Sequence, residues 1–508
     1  MNDVLPARTS PSSERETLAA LDLGSNSFHL VIARVDAEGV HVLDERREMV
    51  RLAEGLDAHN TLRRPVERRA LACLERFGAS LRPLPRGAVR VVGTNALRKA
   101  RNARDFVRRA EALLGHPIEI VSGAEEARLT YLGVASGDAP RPGERRLLID
   151  IGGGSTECIL GVGTEVASAH SLFMGCVSFT ERYFPHGRIK RKHFESARNA
   201  ALAELATFAE GWQGRFDQAW GSSGTMRAID AILTTNKWGG AGITPEGVAL
   251  FADAILEHRD VRELRIDGLA PERAPVIPGG LAIVSAALEA LSIPRLRAAR
   301  SAMREGILYD LIGRHADHDV REASIRSFAE RHGVDREHAE RVQATALALL
   351  RDVSVPWRLD LLDYGAPLRW AATLHEIGQS LTYAGYHKHG AYLVRNATLA
   401  GLAREDAIRV SALIGLHRRR PKLEYAAGLE RAQQRDLLRV AVLLRLAAAL
   451  HRSRAAIRPP VRAFASGKQL ELRLPRAWAE THPLAMGEVR AEREHLRKMG
   501  VKLRVVAR

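Results

Sequence analysis

The chain has 508 residues, 46% of them hydrophobic, and its 76 lysines and arginines exceed its 60 aspartates and glutamates by a formal net charge of +16. This length predicts two to four domains, and because no apolar run reaches about 18 residues, a membrane-spanning helix is not expected. The three cysteines are too few and too scattered for a disulfide framework, so a cytoplasmic protein is expected.

The excess of positive charge favours a polyanionic partner, which includes nucleic acid, a nucleotide or polyphosphate. The alternative is an arginine-rich composition that has no bearing on a ligand. The chain begins with a polar segment rich in proline and serine, residues 1–16, which lacks the apolar core of a signal peptide and predicts a disordered tail.

Residues 18–33 predict a strand, a tight glycine turn and a return strand. The apolar Leu-Ala-Ala-Leu at residues 18–21 is followed by Asp22, by Gly24 and by the polar Ser25-Asn26-Ser27. Glycine lets backbone N–H groups approach an anion closely. A second kind of anion site is predicted at residues 88–100, where a buried strand leads through Thr94 into a helix N-terminus.

Cations and carboxylates follow these two turns. Arg98, Lys99 and Arg101 add charge to the second anion site or lie on a solvated helix face. Glu125 and Glu126 fall in the first turn of a helix that follows a strand at residues 118–121. They are either ordinary N-terminal acids, favoured by the helix dipole, or one of them points into a cleft as a general base for water.

Residues 147–157, Leu-Leu-Ile-Asp-Ile-Gly-Gly-Gly-Ser-Thr-Glu, repeat the first hairpin with a richer glycine turn. The two hairpins predict an internal duplication that places two anion-binding turns across one cleft. Asp150 and Glu157 supply carboxylates that suit Mg²⁺ beside a phosphate. The lysine of a P-loop is missing, which excludes that class.

Two further features precede the helical part of the chain. The basic residues 188–193 either form a polyanion path or begin a solvated helix, and these alternatives stay open. Gly221-Ser-Ser-Gly-Thr225 is a third glycine-rich turn that leads into a helix. It holds in the second half of the duplication the place that Gly93-Thr94 holds in the first.

From about residue 315 the pattern is mainly helical. An amphipathic helix is predicted at residues 368–378 with His375 and Glu376 near its end, and His387, His389 and His417 follow. The spacing is similar to that of helical metal phosphohydrolases. We favour a metal-free descendant of that fold used for binding. Beyond Pro459-Pro460, alternating apolar and polar residues predict a small antiparallel sheet with a helix near residues 486–497.

Four motifs in order identify a family. Residues 21–29, 121–128, 149–157 and 221–225 together resemble those of bacterial exopolyphosphatases and the related guanosine pentaphosphate phosphatases, and the similarity extends from about residue 18 to the C-terminus. It implies an α/β fold of two duplicated actin/Hsp70/sugar-kinase-like (ribonuclease H-like) domains, then an all-α HD-like domain and a small α+β domain. The expected boundaries are 1–16 for the tail, 17–129 and 130–314 for the duplicated domains, 315–457 for the helical domain and 458–508 for the last.

The resemblance also assigns roles to residues of this chain. It implies Glu126 as the general base and Asp22, Asp150 and Glu157 as metal ligands. The implied phosphate-binding residues are Gly24, Ser25, Asn26, Ser27, Thr94, Arg98, Gly152, Gly153, Gly154, Ser155, Gly221, Ser222, Ser223, Gly224 and Thr225. A polyphosphate channel is expected along Arg188, Lys190, Arg191, Lys192, His389, His417, Arg418 and Arg419. An HD metal site is not expected, because Glu376 replaces the aspartate and no clear first histidine or final aspartate is present.

The expected activity is exopolyphosphatase, the release of orthophosphate from the end of linear polyphosphate, with removal of the 5′ γ-phosphate of guanosine pentaphosphate as the alternative. The family implies Mg²⁺ or Mn²⁺, stimulation by K⁺, a homodimer, no specific nucleic-acid partner and a cytoplasmic location, with the inner face of the membrane as a peripheral alternative. A sugar or acetate kinase is disfavoured, since a kinase excludes water and no sugar-site pattern is visible. A nucleic-acid-binding regulator is suggested by charge alone.

Overall fold

The computed structural model describes residues 16–36, 39–57, 59–141, 143–315, 319–426 and 429–508. Except for Glu16, the predicted disordered tail lies outside the described residues. The chain divides into two compact units, the first ending at Asp319 and the second spanning Val320–Arg508. The finer domain boundaries given above stay predictions.

The first unit begins with a five-stranded sheet in the order β3-β2-β1-β4-β5. Its strands are β1 (Glu16–Leu23), β2 (Phe28–Asp36), β3 (Gly39–Glu48), β4 (Val89–Gly93) and β5 (Ile118–Ile120). β1 and β2 form an antiparallel hairpin, whereas β4 and β5 continue the sheet in parallel. The parallel strands are reached through helices α1 (Arg64–Leu81), α2 (Asn95–Lys99) and α3 (Ala103–Leu114).

After helix α4 (Gly123–Gly137), a second sheet repeats the first. Its strands are β6 (Arg145–Ile151), β7 (Thr156–Val162), β8 (Glu165–Leu172), β9 (Gln218–Ser222) and β10 (Leu296–Ala298). The order β8-β7-β6-β9-β10 has the same parallel and antiparallel pairings as the first sheet. The predicted duplication is confirmed, and the fold is the duplicated actin-like one.

The helices of the second half are α5 (Cys176–Tyr183), α6 (Arg191–Leu205), α7 (Ala209–Trp212), α8 (Ser223–Asn236), α9 (Pro245–Leu256), α10 (Ile277–Ala290) and α11 (Met303–His315). Helix α11 packs closely on α4. A Cβ atom on Gly133 would collide with the carbonyl oxygen of Ala302, and one on Gly306 with that of Leu129. The two helices run antiparallel, so the start of α11 lies beside the second half of α4. Asp310, further along α11, contacts Arg128 in the first half of α4, which also carries the predicted base Glu126.

The central strands β1 and β6 are buried on both faces, as their continuous apolar runs predict. Asp22 and Asp150 occupy corresponding places near the carboxyl ends of these strands. Each sheet therefore carries one aspartate at the carboxyl end of its central strand.

The second unit consists of a helical part followed by a part with both strands and helices. Its helices are α12 (Val320–Arg331), α13 (Arg336–Trp357), α14 (Leu361–Leu374), α15 (Tyr386–Asn396), α16 (Arg404–Leu416) and α17 (Arg431–Leu450). The C-terminal part contains β11 (Arg462–Ser466), β12 (Gln469–Leu474), α18 (Arg476–Thr481), α19 (Pro483–Lys498) and β13 (Lys502–Ala507).

The prediction that the C-terminal sheet is antiparallel is wrong in one pairing. β11 and β12 are antiparallel, but β12 and β13 are parallel. The two helices α18 and α19 lie between β12 and β13, and a crossover of this length returns the chain to the starting end of the sheet.

Cys73, Cys158 and Cys176 are free thiols, and all three are buried. Among the described residues, no helix combines the length and the apolar character needed to cross a membrane.

Candidate active site

A cavity of about 140 Å³ lies between the hairpin turns of the two sheets in the first unit. A Cβ atom built on Gly153 would sit 3.4 Å from the Cβ of Ser25, so the two turns face each other at contact distance. Most of the predicted site residues line this cavity: Asp22, Gly24, Ser25, Asn26, Ser27, Thr94, Glu126, Asp150, Gly152, Gly153, Ser155, Ser223, Gly224 and Thr225.

The N-terminus of α8 also reaches the cavity through Ser223, Gly224 and Thr225. The Ser223 hydroxyl accepts hydrogen bonds from the backbone N–H groups of Thr225 at 3.2 Å and Met226 at 3.3 Å. A helix N-terminus combines unsatisfied N–H groups with the positive end of the helix dipole, so this edge of the cavity is suited to bind an anion.

The cavity also contains a cluster of buried carboxylates, which are suited to bind a cation. Strand pairing places Asp150 directly across from Glu157, as it places Asp22 across from His29 in the first hairpin. Burial, followed by the negative charges of Glu126 and Asp150, raises the pKa of Asp22 well above its ordinary value. Burial and the same two neighbours raise the pKa of Glu157 in the same way.

This donor set fits a hard cation. The Oδ1 atom of Asp22 and the Oε2 atom of Glu157 are buried and have no hydrogen-bond partner among the described residues. Asp150 accepts a hydrogen bond on Oδ1 from the Ser222 hydroxyl at 2.5 Å, and burial raises its pKa. Carboxylate oxygens that repel one another in a buried site are the ligands that Mg²⁺ and Mn²⁺ prefer.

Glu126 and its neighbour Glu125 have different environments. Glu126 faces the cavity and accepts a hydrogen bond on Oε2 from Nη1 of Arg98 at 3.0 Å. Burial raises the pKa of Glu126, Arg98 opposes that shift, and the charge of Asp150 adds to it.

Glu125 instead belongs to a buried ion-pair network with Arg128, Arg90 and Asp310. Both of its carboxylate oxygens accept hydrogen bonds from Arg128 at 2.8 Å, and Arg90 lies 3.5 Å away. The guanidinium groups of Arg90, Arg128 and Arg314 outweigh burial and hold the pKa of Asp310 below its ordinary value. The charge of Glu125 is therefore balanced by ion pairs away from the cavity. The carboxylate of Glu126 instead faces the cavity.

Four arginines that sequence reasoning missed line the cavity: Arg47, Arg227, Arg273 and Arg304. They come from β3, from α8, from the residue before a 3₁₀ helix at Ala274–Val276, and from α11. Arg227 follows the third glycine turn so closely that its place could have been inferred. For Arg47, Arg273 and Arg304 no local pattern marks the residue, because only the tertiary fold brings these segments together.

His29 also lines the cavity and was missed as a site residue. Its Nε2 atom lies 2.7 Å from the Ser27 hydroxyl, and its Nδ1 atom lies 3.5 Å from Nη1 of Arg304. Burial, together with the charges of Arg47 and Arg304, lowers the pKa of His29 to about 3. The imidazole is therefore neutral at pH 7.

Gly224 makes room for Arg273. A Cβ atom at this position would collide with the guanidinium group of Arg273, which is itself buried. The third glycine turn thus allows an arginine to lie directly against the helix N-terminus of the cavity.

Several predicted residues lie outside the cavity lining among the described residues. Gly221 and Ser222 end β9, Gly154 faces Asn95, Glu157 lies buried on β7, and Arg98 is engaged with Glu126. The predicted channel residues of the first unit, Arg188, Lys190, Arg191 and Lys192, are exposed on its surface. In the second unit, His417 and Arg418 line a separate cavity, and the channel stays a prediction.

Comparisons with known proteins identify the family of the chain. The model of the Ppx/GppA phosphatase family matches residues 31–315, and that of Ppx/GppA phosphatase, domain III, matches residues 320–493. The guanosine-5'-triphosphate,3'-diphosphate pyrophosphatase of Aeromonas hydrophila is 37% identical over 497 residues, which are 96% of this chain and 98% of that protein. The protein of the same description from Photobacterium profundum is 35% identical over 486 residues, 95% of this chain and 96% of its own.

Among solved structures, an exopolyphosphatase from Cytophaga hutchinsonii superposes with a TM-score of 0.53 at 24% identity, covering 59% of this chain and 98% of its own. At this level of identity the similarity establishes the fold alone.

Proposed function

Since this chain belongs to the Ppx/GppA phosphatase family, we propose that it removes the 5′ γ-phosphate of guanosine-5'-triphosphate,3'-diphosphate as orthophosphate. The observation that carries this proposal is the 37% identity to proteins of that description along 96% of the chain. It favours the alternative named above over the exopolyphosphatase activity that we expected first.

In the proposed reaction, a water oxygen bonds to the γ-phosphorus, and the bond from that phosphorus to the oxygen shared with the β-phosphate breaks. Glu126 accepts the proton of the attacking water, and the released electron pair stays on the β-phosphate. A carboxylate that is ionised yet of raised pKa is a better base than an ordinary one, because its pKa lies closer to neutral pH.

The cations of the cavity supply the charge that the reaction needs. Arg47, Arg227, Arg273, Arg304 and the N-terminus of α8 surround the space where a phosphoryl group fits. Preorganised positive groups stabilise the charge that develops on the transferred phosphoryl oxygens without reorganising during the reaction.

Asp22, Asp150 and Glu157 would hold Mg²⁺ or Mn²⁺ in this proposal. When bound there, the cation supplies further neutralisation of phosphate charge. Burial and, after it, the negative charges of Glu126 and Asp150 raise the pKa values of Asp22 and Glu157, which supports the assignment. Stimulation by K⁺, a homodimeric assembly and a cytoplasmic location belong to the same proposal.

Linear polyphosphate is the second candidate substrate, and the arginine cluster is the observation that favours it. Guanidinium groups recognise phosphates and carry no information about what is attached beyond them. A site of this kind therefore accepts the end of a polyphosphate chain as well as a nucleoside 5′-triphosphate.

Orthophosphate release by the purified chain from guanosine pentaphosphate and from long polyphosphate, each at matched Mg²⁺, tests the proposal. We expect the higher kcat/KM with guanosine pentaphosphate and a nucleotide product that retains its 3′-diphosphate. The Glu126→Gln variant controls for a contaminating phosphatase. A higher kcat/KM with polyphosphate would replace the first candidate by the second, and failure to cleave either substrate would overturn both.

A further inference from the structure

A second polar cavity, of about 150 Å³, lies inside the second unit. Three histidines and a glutamate contribute to its lining, namely His338, His375, His417 and Glu376, together with Arg418, Arg445, Arg452 and Arg454. The histidines come from α13 and from the ends of α14 and α16, so the cavity forms where these helices meet.

Three of these side chains have the arrangement of a metal site. One ligand atom each of His338, His375 and Glu376 lies within 4.8 Å of the others. In a tetrahedral site with metal–ligand distances of about 2.1 Å, neighbouring ligand atoms are roughly 3.4 Å apart. Small side-chain rotations therefore bring the three donors onto one ion.

The histidines are held in the tautomer that a metal requires. The Nδ1–H group of His375 donates to the carbonyl oxygen of Ala372 at 2.7 Å, and that of His417 donates to Ile414 at 2.6 Å. A carbonyl oxygen accepts only, so the proton lies on Nδ1 and the lone pair on Nε2. Metal-binding histidines are commonly fixed in this way by a backbone carbonyl.

Two histidines of this region each have a buried nitrogen that is available to a ligand. The Nε2 atom of His417 and the Nδ1 atom of His338 are buried and have no hydrogen-bond partner among the described residues. Both histidines are more than nine-tenths buried, and a buried polar nitrogen without a partner destabilises the fold. The rings of His338 and His417 both lie beside His375, with centroid distances of 5.6 Å and 5.4 Å.

Glu376 is oriented by charged neighbours. Its Oε2 atom lies 2.6 Å from Nη2 of Arg454, and Nη1 of the same arginine lies 2.9 Å from Asp335. Asp335 in turn accepts a hydrogen bond from the backbone N–H of His338 at 3.0 Å. One chain of contacts therefore links the carboxylate to the histidine on α13.

We propose that His338, His375 and Glu376 bind a divalent transition-metal ion, with the Nε2 atom of His417 next to the remaining coordination position. Two imidazoles and a carboxylate suit Zn²⁺ and its neighbours in the periodic table, whereas Mg²⁺ prefers oxygen ligands alone. This site is separate in ligand chemistry from the carboxylate cluster of the first unit and does not depend on the proposed function.

The proposal replaces our expectation of a metal-free helical domain. That expectation rested on Glu376 in place of the aspartate and on the lack of a clear first histidine and of a final aspartate. The structure supplies it as His338, which lies on α13, apart in sequence from the pair at the end of α14.

Zinc binding to the full chain, freed of metal by chelation and then dialysed against Zn²⁺, tests the proposal. We expect one equivalent of zinc that the Asp150→Asn variant retains and that His338→Gln and His375→Gln each lose. Replacing Zn²⁺ by Co²⁺ provides a second measurement, since a tetrahedral site with imidazole ligands absorbs visible light strongly. His332→Gln is the matched control, because this histidine lies outside the cavity and contacts the Ser380 hydroxyl.

Circular dichroism and the thermal unfolding midpoint show whether each variant is folded. If His338→Gln does not fold, Glu376→Gln takes its place, with an expected loss of zinc affinity of at least tenfold. Zinc should raise the unfolding midpoint of the wild-type protein but not that of the folded variants. A wild-type chain that holds no zinc, or folded variants that hold as much as wild type, would overturn the proposal.

Discussion

Arg98 donates a hydrogen bond from Nη1 to Oε2 of Glu126 at 3.0 Å, and the same group donates to the carbonyl oxygen of Val121 at 2.9 Å. The carbonyl oxygen of Val121 thus holds the Arg98 guanidinium in place, and the guanidinium orients the Glu126 carboxylate. Burial raises the pKa of Glu126, and Arg98 opposes this shift by favouring the ionised form. Two predictions depend on this pair.

The first concerns the base. Replacing Glu126 by Gln should lower kcat by roughly 10²–10⁴-fold, because a positioned general base contributes about that much. Substrate affinity should change little, since the amide has the same shape and adds no negative charge. Steady-state kinetics and calorimetric titration of the variant with substrate measure the two effects. A variant that turns over at the wild-type rate would remove Glu126 from the reaction.

The second concerns pH. The base must be deprotonated and its pKa is raised by burial, so activity should fall as pH falls through a value above that of an ordinary glutamate. Arg98 favours the charged form, so Arg98→Met should move this acidic limb of kcat/KM to higher pH. Arg101→Met, a nearby exposed arginine, is the control and should leave the limb in place. A limb that moves to lower pH in Arg98→Met contradicts the pairing.

The third prediction compares how replacement of Glu125 and of Glu126 changes the free energy of unfolding. Glu125→Gln removes the charge that balances Arg128 and Arg90 in a buried network, which should lower the free energy of unfolding by on the order of 3 kcal/mol. Glu126→Gln should cost much less, because the lost ion pair with Arg98 is offset by the loss of repulsion from the neighbouring carboxylates. Urea unfolding of both variants provides the comparison, and equal losses would show that the environments are not distinct.

The fourth prediction tests the contact between Gly224 and Arg273. Gly224→Ala places a methyl group where the guanidinium lies, and overpacking of this kind costs about 1–3 kcal/mol. If Arg273 binds a substrate phosphate, KM should rise by about 10-fold to 100-fold. Gly211→Ala is the matched control, since a Cβ atom there meets no neighbouring atom within 4 Å. An unchanged KM would remove Arg273 from phosphate binding.

The fifth prediction concerns the cation site. The raised pKa values of Asp22, Asp150 and Glu157 mean that the folded protein binds more protons than the unfolded chain above about pH 4. Without divalent cations, stability should therefore fall as pH rises through those pKa values. Mg²⁺ should restore it at neutral pH, and Asp150→Asn should weaken that effect and raise the Mg²⁺ concentration required for activity. Thermal unfolding with and without Mg²⁺ measures it, and a wild-type midpoint independent of Mg²⁺ would argue against the site.

The sequence alone predicts the features that depend on residues close together in the chain. The two Asp-x-Gly hairpins were identified because a turn between two strands is determined by residues that are neighbours in the chain. Once the hairpin forms, the length of its turn fixes the register that pairs Glu157 with Asp150. The duplicated fold and most of the residues that line the cavity follow from these repeats.

Only the tertiary structure decided the remaining features. Glu125 and Glu126 occupy the same helical turn, and only their tertiary contacts separate their roles. Arg90 and Arg128 pair with Glu125, whereas Arg98 pairs with Glu126. Three of the cavity arginines, Arg47, Arg273 and Arg304, lie on segments distant in sequence from the glycine turns, as His338 lies distant from His375. Side-chain type does not encode which distant segments will pack together. The direction of β13 was likewise invisible, because alternation shows which face of a strand is buried and not which way the neighbouring strand runs.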